Sequence, residues 1–312
     1  MILENILLIL GFIILLVSGD LLVKAGTSIA NKLKVPPIIT GITIVALGTS
    51  APELFVSVGA AFNSSPEIAL GNVVGSNISN IALVLGLTAI VLPLPVQKEI
   101  VRKDYLLMFL VSVLLYFFLY TNSQLVFWEG CVLFHLLLLY MLYLIRKSKK
   151  IKVDDVEDDN KTKSWTYCSI ILLLASFGLY FGAELLVDNA QKIARAFGVE
   201  ERVIGVTIIA LGTSLPELAT SLIAAFKREL DISLGNIVGS NIFNILGVLG
   251  ITSMVKKINV SDSLLTFDIP LMLLLFASTI LLVLLPQKYL LQRYKGVILS
   301  ISYFLYVTFV FI

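Results

Sequence analysis

The chain has 312 residues, 58% of them hydrophobic and only 14% charged, with a mean hydropathy of +0.98. That composition excludes a soluble domain and indicates an integral membrane protein. A net charge of +2 leaves no electrostatic footprint for nucleic acid, and the two cysteines, Cys131 and Cys168, lie far apart without metal-ligand spacing, so both read as apolar filler.

Runs of roughly 20 apolar residues recur along the whole length, so the spanning elements are helices, and the alternation of a membrane β-barrel is absent. In chain order they predict ten helices, starting near Ile6, Pro37, Ala69, Tyr105, Leu125, Trp165, Val203, Ile232, Leu264 and Gly296. The opening "MILENILLIL" lacks the basic stretch of a cleaved signal peptide and is expected to remain as the first span. Between the fifth and sixth spans lies "RKSKKIKVDDVEDDNKTK", residues 146–163, a basic block followed by an acidic one. Its "DDVEDD" run has neither the glycine nor the spacing of a calcium-binding loop and reads as a solvated linker. The expected architecture is an all-α polytopic membrane protein: a five-helix repeat over 1–145, a linker at 146–163 and a second five-helix repeat over 164–312.

The halves are copies. "GITIVALGTSAPELFVS" (41–57) and "GVTIIALGTSLPELATS" (205–221) share 12 of 17 residues at an offset of 164, and "LGNVVGSNISNIALVLG" (70–86) and "LGNIVGSNIFNILGVLG" (234–250) share 13 of 17 at the same offset. The offset also sets "GDLLV" (19–23) against "AELLV" (183–187), and so Asp20 against Glu184. An odd number of spans per copy turns the second copy upside down, giving inverted repeats. Loops after odd-numbered spans carry 18 of the 23 Lys and Arg residues. By the positive-inside rule, the 146–163 loop is then cytoplasmic and both termini face outside a cell membrane. Inverted repeats with interrupted helices are the architecture of a secondary transporter, with its site near the midplane.

Each long motif places polar groups deep in an apolar run. Pro52 removes the amide that would bond the Gly48 carbonyl, and Pro216 does the same to Gly212, so both helices are expected to break just before an acid, Glu53 or Glu217. Thr49 and Ser50, and Thr213 and Ser214, add hydroxyls. In the following helices Ser76 with Asn80, and Ser240 with Asn244, are four apart and share a face. Gly71 with Gly75, and Gly235 with Gly239, offer a small-residue face for close helix contact. Two carboxylates, hydroxyls, amide oxygens and freed carbonyls make a cage of hard donors suited to Ca²⁺ or Na⁺; soft metals would call for Cys or His. Mn²⁺ also fits an all-oxygen site. Asp20 and Glu184 read as structural partners near span ends, and His135 as a satisfied interior histidine away from the motifs.

At "GTSAPE" with "GNVVGSN" and "GTSLPE" with "GNIVGSN" the chain resembles the calcium:cation antiporter superfamily, close to the prokaryotic sodium/calcium exchangers, over essentially all ten expected helices. The resemblance implies Na⁺/Ca²⁺ antiport by alternating access, with Glu53 and Glu217 as the main Ca²⁺ ligands and oxygens of Thr49 and Thr213 completing that site. It implies Na⁺ sites built from Ala46, Ser50, Ser76, Ala210, Ser214 and Ser240, with Asn80 and Asn244 nearby, and first and sixth helices that slide across a rigid core. Some relatives, including the potassium-dependent branch, carry Asp at the place of Asn244. Asn244 therefore weighs against K⁺ co-transport, and Asn at 80 and 244 weighs against H⁺ coupling because few titratable groups remain besides the two glutamates. H⁺/Ca²⁺ and K⁺-dependent exchange stand as alternatives; a channel or an intramembrane acid/base enzyme explains the duplicated hydroxyls less well. No Walker-type loop appears, no cofactor is expected, and the expected partners are the two transported cations and the lipid bilayer, with no required protein partner.

Overall fold

The computed structural model describes residues 2–63, 66–150, 164–199, 204 and 210–310. Most of the predicted 146–163 linker and the start of the predicted seventh helix lie outside the described residues. The helices are α1 (Ile2–Leu33), α2 (Pro37–Phe62), α3 (Glu67–Val91), α4 (Ile100–Asn122), α5 (Phe127–Lys150), α6 (Trp165–Ala196), α7 (Leu215–Phe226), α8 (Leu230–Val255), α9 (Leu264–Leu284) and α10 (Arg293–Val310). Among the described residues, eight are long and apolar enough to cross a membrane; α7 is a shorter apolar helix and α10 has 18 residues.

Local features recur at the offset seen in the sequence. α3 widens into a π-helix at Asn80–Leu85 and α8 at Asn244–Leu249, and α4 and α9 begin with π-helices at Ile100–Tyr105 and Leu264–Asp268. Tyr140 on α5 donates to Asp104 on α4 at 2.9 Å, and Tyr306 on α10 donates to Asp268 on α9 at 2.8 Å. Each acid thereby gains a partner inside an apolar bundle, where an unpaired one is costly. Two short antiparallel ribbons stitch the halves together. β1 (Leu94–Pro95) pairs with β4 (Leu290–Leu291), and β2 (Gln124–Leu125) pairs with β3 (Ile258–Asn259).

The apolar packing falls into two clusters. The larger joins α2 to α5 with α8 to α10; the smaller joins α1 and α6 to Val45 of α2, to α7 and to Ile232 of α8. α1 and α6 cross where glycines replace side chains, since a methyl on Gly182 would lie 2.8 Å from the Leu15 nitrogen. α8 lies equally close on α2: a methyl on Gly235 would sit 2.7 Å from the Ile38 carbonyl oxygen and 3.0 Å from the Gly41 Cα. That is the close approach expected of Gly235 and Gly239. The matching segment for Gly71 and Gly75, 205–209, lies outside the described residues.

Candidate cation site

α2 and α8 cross near their middles, and α7 begins beside them. α2 turns through a π-helix at Gly41–Val45 and then runs as an α-helix from Ala46 to Phe62 with Pro52 inside it. The expected break before Glu53 is therefore not a change of direction; the proline is absorbed in a continuous helix at the loss of one hydrogen bond. The second copy does break. Thr213 and Ser214 form a turn, α7 starts at Leu215, and Pro216 occupies its first turn, where a missing amide costs nothing. Glu217 thus lies in the first turn of a helix, whose unpaired N–H groups favour a carboxylate.

Glu53 keeps 2% of its surface exposed and Glu217 none. Ser50 Oγ donates to Glu217 Oε1 at 3.1 Å. Thr49 Oγ1 donates to Asn236 Oδ1 at 3.0 Å and lies 3.2 Å from Ser240 Oγ. Glu53 and Glu217 lie within electrostatic reach of each other, and neither forms an ion pair among the described residues. Many remaining polar atoms have no hydrogen-bond partner among the described residues. They include both Glu53 oxygens, Glu217 Oε2, the Ser76 and Ser214 hydroxyls, both side-chain atoms of Asn80, and Asn244 Oδ1. Buried oxygens are normally satisfied, because each orphan costs about 1–3 kcal/mol. Orphan acceptors concentrated beside two carboxylates without an ion pair among the described residues are a donor set that can hold a hard cation.

The structure ties Thr49, Ser50, Ser240 and Glu217 together by hydrogen bonds or close contact and places Ala46, Ser76, Asn80, Ser214 and Asn244 in the buried interior. Thr213 is exposed and lines a cavity that also reaches Glu53. Ala210 begins a single helical turn ending at Gly212, and its side chain lies outside the described residues. The two copies are not equivalent here: Ser50 bonds the opposite acid, whereas Ser214 is unpaired.

A supporting layer emerges that sequence reading missed. Asn236 on α8 accepts from Thr49 on α2 and donates to Ser221 Oγ on α7 at 3.1 Å. The equivalent residues 164 positions earlier, Asn72 and Ser57, are joined at 3.3 Å. Asn244 Nδ2 donates to Asn77 Oδ1 at 3.2 Å, and Asn77 Nδ2 donates to the Asn241 carbonyl at 3.3 Å. The signal for Asn72 and Asn236 was present as an extension of the same face, Asn72–Ser76–Asn80 and Asn236–Ser240–Asn244, at steps of four.

Away from the cage, Asp20 is ion-paired to Lys24 at 2.7 Å and to Lys227 just beyond α7, whereas Glu184 lines the cavity that reaches Glu53. The two acids therefore differ in role despite their matching positions. His135 accepts or donates at the Cys131 carbonyl, 3.1 Å away, but it is exposed on the outer surface of α5, not interior as expected. Its helix face is too apolar for hydropathy to tell outward from inward. Cys131 and Cys168 are free thiols.

Comparison with known proteins agrees with this architecture. A family model described as sodium/calcium exchanger protein matches residues 4–146 and 168–312. The chain is 40% identical to the putative antiporter CaxA of Alkalimonas amylolytica over 82% of each chain. It is 30% identical to the sodium/calcium exchanger MaX1 of Methanosarcina acetivorans over 96% of this chain and 95% of that one. A solved structure of the sodium/calcium exchanger from Methanococcus jannaschii superposes with a TM-score of 0.83 at 30% identity, covering 98% of both chains. With a family model matched over residues 4–146 and 168–312 and relatives of 40% and 30% identity covered over 82% and 95% of their own length, the chain belongs to the sodium/calcium exchanger family.

Proposed function

We propose that this protein is a secondary antiporter that exchanges Na⁺ for Ca²⁺ across a cell membrane by alternating access. One observation carries the reading: two buried carboxylates, neither in an ion pair among the described residues, sit among orphan hydroxyl and amide oxygens. In this reading the chain forms ten spans as two inverted five-helix repeats, 1–145 and 164–312, joined by a cytoplasmic linker at 146–163, with both termini outside. The local features repeated 164 residues apart support that organisation.

Glu53 and Glu217, with oxygens of Thr49 and Thr213, hold Ca²⁺. Ala46, Ser50, Ser76, Ala210, Ser214 and Ser240 supply Na⁺ sites, with Asn80 and Asn244 beside them. Charge arithmetic then couples the ions. With both glutamates ionised the unloaded cage carries two negative charges, and placing even one charge at a membrane helix centre costs about 2.5–3.5 kcal/mol on the most lenient scale. Switching sides without cargo is therefore strongly disfavoured. One Ca²⁺ neutralises the cage, and Na⁺ ions do the same, so the loaded forms switch; because they share oxygens, one ion leaves as the other binds. The separate packing of α1 and α6 from the main cluster supports their movement as a pair across the rest. Asn at 80 and 244, where a titratable acid would serve H⁺ or K⁺ coupling, favours Na⁺.

The test is Ca²⁺ uptake into proteoliposomes loaded with Na⁺, beside K⁺-loaded and acid-loaded vesicles. Uptake from Na⁺-loaded vesicles alone is expected, and uptake driven by a proton gradient overturns the Na⁺ assignment. Glu53→Gln and Glu217→Gln each abolish Ca²⁺ uptake in this reading, and robust exchange by either would sink the ligand assignment.

A further inference from the structure

A cavity of about 240 Å³ lies between α6, α2 and the start of α7, lined by Glu53, Asn72, Tyr180, Glu184, Asp188 and Thr213 among others. Glu184 and Asp188 are four residues apart on α6, share one face, and are both exposed. Both fall well inside a helix of 32 residues. A carboxylate at that depth calls for water or a cation beside it. Neither acid carries an ion pair to a described residue. At the inner end, Glu53 is 2% exposed with both oxygens unpartnered, and it lines the same cavity.

The positions 164 residues earlier show what these acids are not doing. Gly19 is pressed against α7, with a methyl there falling 2.8 Å from Ile223 Cδ1, and Val23 is 1% exposed. Asp20 is bound to Lys24 and Lys227. The counterparts Ala183, Glu184, Val187 and Asp188 all line the cavity, and Lys24 is matched by an acid, Asp188. One path between this helix pair and the core is therefore packed shut beside an acid held by two lysines, while the other is open and lined by two acids with no ion pair among the described residues.

We infer that Glu184 and Asp188 form an antechamber for hydrated cations: they hold a divalent ion through its water shell and raise its local concentration before it reaches Glu53. A charged, low-dielectric cleft raises on-rates by about 10- to 1,000-fold, and the gain falls with ionic strength. The ions concerned rest on the exchange reading above; the charge of the cavity does not.

The test uses the full-length protein in proteoliposomes with Glu184→Gln, Asp188→Asn and the double variant. The double variant is expected to raise the KM for Ca²⁺ about threefold or more at low ionic strength, with the maximal rate within about twofold. The shift should shrink when a non-transported salt is raised to about 0.15 M, where the Debye length is about 8 Å. A second readout needs no transport. In a Cys131→Ser/Cys168→Ser background, Val56→Cys places a thiol in the same cavity, and its reaction rates with trimethylammonium and sulfonate methanethiosulfonates report the local potential. The cation-to-anion rate ratio should fall about threefold or more when Glu184 and Asp188 are neutralised. An unchanged ratio, an unchanged KM, or a KM shift equal at both ionic strengths overturns the antechamber. Absence of Na⁺-dependent uptake by the unmodified protein removes the exchange reading instead, and the thiol ratio still decides the antechamber.

Discussion

Asn236 offers the sharpest test of how the cage is held, because its counterpart Asn72 serves as an internal control. Asn236→Ala removes two buried hydrogen bonds that together join α2, α8 and α7: Thr49 to Asn236 at 3.0 Å, and Asn236 to Ser221 at 3.1 Å. Asn72→Ala removes one longer, part-buried bond of 3.3 Å to Ser57. Side-chain hydrogen bonds between membrane helices average about 0.6 kcal/mol and reach about 1.7. Asn236→Ala should therefore cost about 1–3 kcal/mol, and Asn72→Ala about 0.6 kcal/mol or less. Equilibrium unfolding in mixed detergent micelles, titrated with a denaturing detergent, measures both on one scale. Asn236→Ala should also weaken Ca²⁺ affinity more, since it frees Thr49 beside Ser240 and Glu217. An equal or larger loss of stability for Asn72→Ala would refute the claim that this bridge is what fixes the Thr49 side of the cage.

Other outcomes follow from close packing and charge. Gly239→Ala puts a methyl against the backbone of Ile42 and 2.8 Å from the Ala46 Cβ; backbone cannot yield as a side chain can, so a loss of about 1–3 kcal/mol or more is expected, read as a lower yield of monodisperse protein. Normal yield would show that α2 and α8 are free to separate. Asp20→Asn and Lys227→Gln should each loosen α1 from α7 by about 0.2–1 kcal/mol, because both side chains are about a third exposed, 33% and 31%. A thiol at Ile223→Cys would then react up to about fivefold faster. The double variant should show no further gain, and additive effects would mean that the two residues act separately.

Hydropathy located the eight helices that are long and apolar enough to cross a membrane, because lipid imposes an apolar requirement on every residue that faces it. The offset of 164 exposed the duplication because both copies keep proline, acid and hydroxyls at matching positions. What the offset could not tell was how the copies differ. "GTSAPE" and "GTSLPE" are nearly the same string, yet the first is helical and the second contains a turn, because the two copies meet different neighbours. Ser50 and Ser214, or Asp20 and Glu184, are indistinguishable by pattern and unlike in surroundings for the same reason. Asn236 was hidden differently: a polar residue on a polar helical face looks like a ligand or a bystander until its partners on two other helices are known. The outward-facing His135 was lost because α5 is apolar all round.

The two small ribbons bear on how the protein is made. Leu94 finds its partner only at Leu291, and Leu125 only at Ile258, so the connections on either side of α4 are completed by segments near the other end of the chain. A ribosome feeding the membrane from the N-terminus must therefore leave the first half inserted but unfinished, its Glu53 without Glu217 until α7 arrives and its ribbons unpaired until the segments after α8 and α9 follow. Contacts this distant in sequence slow assembly and leave unsatisfied intermediates exposed to misfolding. The site and the fold are thus completed together, late in synthesis, and neither half is a finished object by itself.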